Sequence, residues 1–349
     1  MSNSFKDYHS ETANWRQSLR TNNRRTYFVI ATFILIYLII GLLIDMYIYA
    51  GHFPQATISQ LFYSLVTFNL VPRATIITLI IAIVSLWVTF KFSHKLMLLG
   101  SEYRQITPET AQTLEEKQLY NVVEEMKVAA GLKFMPKVYI IDADYMNAFA
   151  SGYNEKSAMV AITRGLIQKL NRDELEAVMA HEISHIRHMD IKLTLMASVL
   201  ANLLLIVVDI LFFSAIFGGR DRDGGGRNQL FIFILLLRYL LPVITVLLVL
   251  YLSRTREYMA DAGSVELMRD NEPLARALLK IQGDHEQHQE TYAREYASTP
   301  HESVRRQAYI YDPLKAGINV KQSLSDFFST HPSIKKRLAA IGFKLKSNQ

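Results

Sequence analysis

Four runs of apolar residues break up an otherwise polar chain of 349 residues. They cover approximately 27–49, 74–90 (extendable to 99), 193–217 and 230–252, and each reaches or approaches the ~20 apolar residues that a bilayer core demands. Length favours spanning helices for the first, third and fourth; for the second, a buried core helix stays open. The first run starts late, is long and has no A-x-A-like site before Gly51, so it is expected to stay as an anchor and not be removed as a leader. Between the runs the period changes. Leu114, Leu119, Val122, Val123 and Met126 recur at helical spacing and predict an amphipathic helix within 110–132. The β-rich runs 137–141 and 158–163, joined by 142–157, read as a hairpin or small sheet. Leu175, Val178, Met179 and Ile183 form a further helical stripe, with Asn171 or Asp173 as N-cap and Glu174 and Glu176 in a first turn that favours negative charge.

The pattern predicts an N-terminal arm (1–26) and two spans joined by a short external loop (27–99). A small α+β domain follows in two parts (100–192 and 253–349), divided by a membrane-embedded helical hairpin (193–252). The hairpin would turn at 218–228, where glycines cluster, with a re-entrant or interfacial helix pair as the alternative. Those glycines lack the Gly-Lys-Ser/Thr of a phosphate loop. Asp209 and Arg238 fall at nearly equal depth on its two arms. They are expected either to form a buried ion pair or to snorkel separately.

The third helical stripe carries His181-Glu182-Ile183-Ser184-His185. Residues four apart share a helix face, so His181 and His185 can present two imidazoles to one metal ion. Glu182 lies about 100° further round, placed to hold and deprotonate an attacking water. This is the H-E-x-x-H pattern of zinc peptidases; two solvated histidines on a polar face are the plain alternative. A catalytic zinc takes three protein ligands and keeps one open position. The chain has no cysteine, which excludes thiolate ligation and disulfides and leaves His, Glu or Asp for the third ligand. Glu257 is the best candidate, with Asp261 four residues on. One carboxylate can bind metal while the other accepts the spare N–H of a ligating histidine. Without the histidine pair, the same residues would read as ordinary helix-surface charges.

Net charge is +6, and its placement matters more than its size. Arg16, Arg20, Arg24 and Arg25 precede the first run, and Lys91, Lys95 and Arg104 follow the second, whereas 50–73 holds only Arg73. Positive flanks stay cytoplasmic, so both termini and 91–192 are expected to face the cytoplasm. Arg220, Arg222 and Arg227 run against that trend. The basic flanks suit anionic lipid, and nothing indicates nucleic acid.

His181, Glu182 and His185, the Glu257-x-x-x-Ala260-Asp261 segment, Asn147-Ala148-Phe149-Ala150 and Thr330-His331-Pro332-Ser333 together resemble the HtpX branch of membrane-bound zinc metalloproteases. These are gluzincins related to the CAAX prenyl proteases, and the resemblance covers most of the chain. It implies a multi-pass α-helical membrane protein with about four spans and a cytoplasmic α+β zincin-like protease domain. It further implies one Zn2+ per chain held by His181, His185 and Glu257, with Glu182 as base, at a bacterial inner membrane. Asn147, Ala148, Phe149 and Ala150 would form the edge strand that aligns substrate, a general mode of peptide binding. His331 would donate to the oxyanion or act from outside the ligand set, although helix capping explains Thr330 and Ser333 equally well. Tyr258 is a weaker candidate for that donor. Substrates would be misfolded or damaged membrane proteins, with other quality-control proteases as partners. Two rivals share the motif. A CAAX-type processing protease would need a larger membrane chamber than four spans build, and a non-enzymatic scaffold has no reason to keep Glu182. His188 is expected at the surface, and His285 with His288 on a solvated helix rather than at a second metal site. The polar stretch 284–308 reads as a mobile flap.

Overall fold

The computed structural model describes residues 8–10, 14–97, 103–152, 154–217, 225–298, 309–311 and 331–345. Of the expected turn at 218–228, residues 218–224 lie outside them and 225–228 are helical; 299–330 other than 309–311, Thr330 included, also lie outside them. The chain divides into two compact units, Met1–Thr26 with Phe92–Leu193 and Leu250–Gln349, and Tyr27–Lys91 with Thr194–Val249.

The second unit is helical. It takes in most of α1 (Trp15–His52), α2 (Ile58–Val66), α3 (Arg73–Met97), most of α7 (Asp190–Phe217) and the first half of α8 (Gly225–Met268). Three of these helices are long and apolar enough to cross a membrane, and α3 carries a shorter apolar stretch, Arg73–Val88. Large apolar side chains such as Ile34, Ile80, Ile206 and Val243 point outward, which suits a lipid solvent and not water. Inside, Met46, Tyr47, Leu61, Leu65, Leu211, Leu230 and Ile234 form a buried cluster. Asp45 is buried too, and it accepts from the N–H groups of Ala74 (2.8 Å) and Thr75 (2.9 Å) and from the Thr75 hydroxyl (2.7 Å). Its charge thus sits on the positive N-terminal end of α3. Asp209 and Arg238 do pair, but the pair is not buried: their side chains are 53% and 27% exposed. The Arg238 guanidinium lies 4.3 Å over the Phe212 ring, and that face replaces burial as its apolar cover.

The first unit holds the α+β fold. Helix α4 (Leu114–Ala129) starts at Thr113, whose side chain accepts from the Glu116 N–H. The main sheet contains β2 (Tyr103–Ile106), β3 (Lys137–Ile141), β5 (Met159–Thr163) and β4 (Ala148–Ser151), in the order β2-β3-β5-β4. β3 and β5 pair in parallel and β4 pairs antiparallel to β5. Of the two expectations for 137–141 and 158–163, the small sheet is what forms and the hairpin is corrected. The connection between them contains its own strand, β4, and that extra reversal leaves β3 and β5 pointing the same way. β4 ends the sheet. A small second sheet pairs β1 (Tyr8–Ser10) with β6 (Phe343–Leu345).

Among the described residues, five further helices belong to this unit: α5 (Arg164–Lys169), α6 (Arg172–Arg187), α9 (Glu272–Gln287), α10 (Gln289–Ser298) and α11 (Ile334–Ala340). α6 begins with a capping box between Asn171 and Glu174, which selects Asn171 over Asp173 and satisfies two orphan backbone donors. Its apolar stripe, Leu175, Val178, Met179 and Ile183, is at most 2% exposed, and each such side chain contributes about 1.5–3 kcal/mol.

α8 continues without interruption from the fourth apolar run through Glu257, because nothing between Leu252 and Arg256 breaks a helix. Thr255 only returns its hydroxyl to the Tyr251 carbonyl, at 2.8 Å. α6 and α8 approach each other very closely at Gly263, where a Cβ would meet the Ser184 hydroxyl at 2.4 Å. Ser264 ties the same contact by donating to the Ala177 carbonyl at 2.8 Å. Glycine is required at 263 because this approach brings the two motif helices face to face.

Candidate metal centre

From α6 come His181, Glu182 and His185; from α8 come Glu257 and Asp261. His181 Nε2 and His185 Nε2 lie 3.2 Å apart. Glu257 reaches them with Oε1 3.5 Å from His185 Nε2 and Oε2 3.9 Å from His181 Nε2. Among the described residues these three form the one group of His and carboxylate donors with metal-ligand geometry. The fit can be judged from the distances. Two ligand atoms about 2.0–2.1 Å from a tetrahedral zinc stand ~3.3 Å apart, close to what the two imidazoles show.

The other ring nitrogens explain the orientation. His181 Nδ1 lies 3.0 Å from Asp261 Oδ1, and His185 Nδ1 lies 2.8 Å from Asp190 Oδ2. Both carboxylates are buried, so each histidine donates its Nδ1–H outward and turns an Nε2 lone pair toward the other. Two lone pairs facing at this distance repel unless a cation lies between them, so the donor set suits a shared metal ion. Each carboxylate is itself held by an arginine. Arg337 Nη2 and Nε grip Asp261 at 2.6 and 3.0 Å, and Arg256 pairs with Asp190. Arg256 also donates to the His188 carbonyl at 2.9 Å.

Burial sets the electrostatics. Desolvation lowers the pKa of His181, with Asp261 opposing and Arg337 assisting. It lowers His185 well below the ordinary histidine value, helped by His181. Glu182, 1% exposed, is pushed well above the ordinary carboxylate range by burial and then by Glu257, while Arg337 and the Ala150 backbone N–H offset only part of this. Its two oxygens have no hydrogen-bond partner of ordinary geometry. For Asp261, burial also works against ionisation, yet Arg337 and the His181 N–H hold its pKa down at about 2. A carboxyl group raised above its usual range beside a metal-ligand set holds a proton more readily than an exposed one, which suits a group that must take up and return a proton.

The remaining expected residues fall at graded distances. His331 is buried, with Nε2 3.6 Å from Glu257 Oε1. Ser333 occupies the N-cap of α11 but makes no side-chain cap bond. Asn147 and the strand residues Ala148, Phe149 and Ala150 are all buried at the end of the sheet. Tyr258, by contrast, lines a separate groove with Asn14, Asn22 and Lys336.

Two expectations about histidines are corrected. His188 is partly covered, and burial lowers its pKa to about 4. His285 is not solvated: it is 0% exposed, because α9 turns it inward among the rings of Tyr311 (4.4 Å) and Tyr292 (5.3 Å). Its Nδ1–H donates to the Ile281 carbonyl at 2.9 Å, and Nε2 accepts from the Tyr296 hydroxyl at 3.3 Å. Tyr296 in turn accepts from Asn147 Nδ2 at 3.1 Å. A neutral His285 therefore props, through Tyr296, the residue just before the edge strand.

Burial holds the folded-state pKa of His285 near 4, against an ordinary 6.5. The unfolded chain thus binds the proton more readily, and the contribution is complete above pH 6.5 and lost as pH falls toward 4. The stability gap between wild type and His285→Gln should shrink by up to about 3 kcal/mol between pH 7 and pH 4. Denaturant unfolding in detergent at a series of pH values measures it; a gap independent of pH would contradict the assignment.

Sequence reasoning did not find Asp190, Arg256 or Arg337. Arg337 left one signal, a charge set among the apolar positions Ile334, Leu338 and Ile341 of a short helix. It is 0% exposed, and a buried guanidinium requires partners.

Residues 113–343 match the family model described as Peptidase family M48. The chain is 39% identical over 328 residues to "Protease HtpX homolog" of Helicobacter pylori (strain Shi470), covering 94% of this chain and 98% of that protein. It is 38% identical, with the same coverage, to the protein of that name from Helicobacter acinonychis (strain Sheeba). Against the one from Dictyoglomus thermophilum (strain ATCC 35947 / DSM 3960 / H-6-12) it is 39% identical over 252 residues, 72% of this chain and 76% of that one. The crystal structure of S. mikatae Ste24p superimposes with TM-score 0.47 and 18% identity, over 96% of this chain and 68% of that one, too loosely to inform the site. The chain belongs to peptidase family M48. It is a membrane protease built from apolar helices and an α+β peptidase domain.

Proposed function

We propose that this protein is a zinc-dependent endopeptidase that hydrolyses peptide bonds of misfolded or damaged membrane proteins at the cytoplasmic face of the bacterial inner membrane. The convergence of His181 Nε2, His185 Nε2 and Glu257 on one point, with each histidine backed by a buried carboxylate, carries the reading. When bound there, zinc would polarise the scissile carbonyl and acidify the attacking water. Glu182 takes the proton from that water and delivers it to the departing amine, a role that its raised pKa suits. His331 donates to the oxyanion, and Asn147–Ala150 present a strand edge to an extended peptide. Reading main-chain groups makes the site indifferent to sequence but selective for unfolded segments. Arg16, Arg20, Arg24 and Arg25 before the first apolar run, with Lys91 and Lys95 after the second, support the orientation.

The test is hydrolysis of unfolded casein by the detergent-purified chain, with metal content determined in parallel. One zinc ion per chain is expected, with activity lost to 1,10-phenanthroline and restored by zinc but not by magnesium. Hydrolysis that survives complete metal removal would defeat the proposal.

A further inference from the structure

β4 is the last strand of its sheet, yet its outer edge is not open. Residues Tyr309–Tyr311 lie along it. The Ile310 N–H donates to the Ala148 carbonyl at 2.9 Å, and Tyr309 forms one antiparallel bridge with Phe149. The Asn147 side chain takes both main-chain groups of Tyr311: its Oδ1 accepts from the N–H at 3.3 Å and its Nδ2 donates to the carbonyl at 3.0 Å. Arg337, bonded to Asp261 beside the ligands, donates through Nη1 to the Ile310 carbonyl at 2.7 Å. The main-chain N–H and C=O of both Ile310 and Tyr311 are therefore engaged.

A permanent fifth strand would be held by its ladder. Among the described residues this segment makes one bridge; its main chain is held mainly by a side-chain amide and a guanidinium, and its side chains are buried. Side chains that hold main-chain groups bind an extended peptide of any sequence. The ligand set lies close by: Arg337 joins this segment to Asp261, and His181, Glu182, Glu257 and His331 are 0, 1, 6 and 2% exposed. For a peptide to pair with β4, this segment has to leave that edge.

We propose that Tyr309–Tyr311 is a built-in substrate mimic, a strap that occupies the peptide lane along β4 until a substrate displaces it. This rests on the reading of β4 as the strand that receives substrate. Tyr309 packs on Phe149 with ring centroids 5.6 Å apart, and Tyr311 packs on His285 at 4.4 Å. These contacts hold the strap in place. The apparent affinity for any peptide is then lowered by the small fraction of molecules in which the strap is released.

The test needs no turnover. In full-length Glu182→Gln protein, binding of a fluorescent peptide with the sequence of residues 305–313 is followed by anisotropy, with and without Ile310→Pro. Proline removes the N–H that bonds to Ala148, so binding should tighten at least about tenfold. Equal affinity, or no binding to either protein, overturns the proposal. Should Ile310→Pro fold poorly, hydrogen exchange of Glu182→Gln protein saturated with the same peptide gives the answer. Exchange at the Ile310 and Tyr311 amides should accelerate as the strap is displaced, and unchanged or slower exchange overturns it. A wild type that cleaves nothing while the strap still yields to peptide would count against the proposed hydrolysis alone.

Discussion

Glu182→Gln is expected to lower kcat for peptide hydrolysis by roughly 10⁴-fold while the protein keeps its full complement of metal. Glutamine preserves the volume and one oxygen of the side chain but cannot accept and return a proton. The geometry separates the two readouts. Glu182 is on the same helix as both histidines, yet the atoms that converge are those of His181, His185 and Glu257, and Glu182 makes none of the contacts that orient them. Its carboxylate is buried without a hydrogen-bond partner of ordinary geometry, so neutralising it removes a desolvation cost and stability should hold or rise. Turnover assays with metal analysis and thermal unfolding on one preparation check all three. Retained activity would remove Glu182 from the reaction, and lost metal would mean that it belongs to the ligand set.

Spacing made one half of this centre legible. His181 and His185, and Glu257 and Asp261, are each four residues apart, and a helix turns that spacing into a shared face whatever the rest of the fold does. Asp190 escaped for a local reason. It is five residues beyond His185, and an unbroken helix would carry it off that face. Instead α6 ends at Arg187 with His188 as its C-cap, and Met189 adopts a left-handed φ of 54°. The chain turns there, and the first residue of α7 comes back to His185. A single residue with positive φ is not written in periodicity. Arg337 escaped for a tertiary reason, since its partner Asp261 is distant in sequence and on another helix. In the sheet, the β-rich runs at 137–141 and 158–163 showed themselves by composition. The parallel pairing did not, because it depends on the short buried strand at Ala148–Ser151, whose four residues are too few for a period to show. His285 was misread because its neighbours Glu286, Gln287 and His288 are polar, and one inward position near the end of α9 is decided by the aromatic cluster it packs against.

The same tertiary links give the second large effect. Asp261→Asn should cost about 3–5 kcal/mol of stability and weaken zinc binding by roughly 10–100-fold. Asp261 accepts from His181 Nδ1 and takes a two-point grip from Arg337, all at full burial. Asparagine can still accept one bond, but its amide N–H then faces a guanidinium, and Arg337 is left buried with much of its charge unmatched. The free choice of tautomer returned to His181 accounts for the loss of affinity. Asp190→Asn should follow the same course with smaller losses, because Arg256 keeps the His188 carbonyl and His185 has 12% of its side chain exposed. Unfolding midpoints and competition with a zinc chelator measure the two quantities. The double variant Asp261→Asn with Arg337→Met tells them apart: removing the orphaned charge should recover much of the stability and none of the zinc affinity. If affinity returned together with stability, Asp261 would be supporting the fold rather than orienting His181. If neither single variant changed either quantity, the paired carboxylates behind the histidines would have no part in the centre.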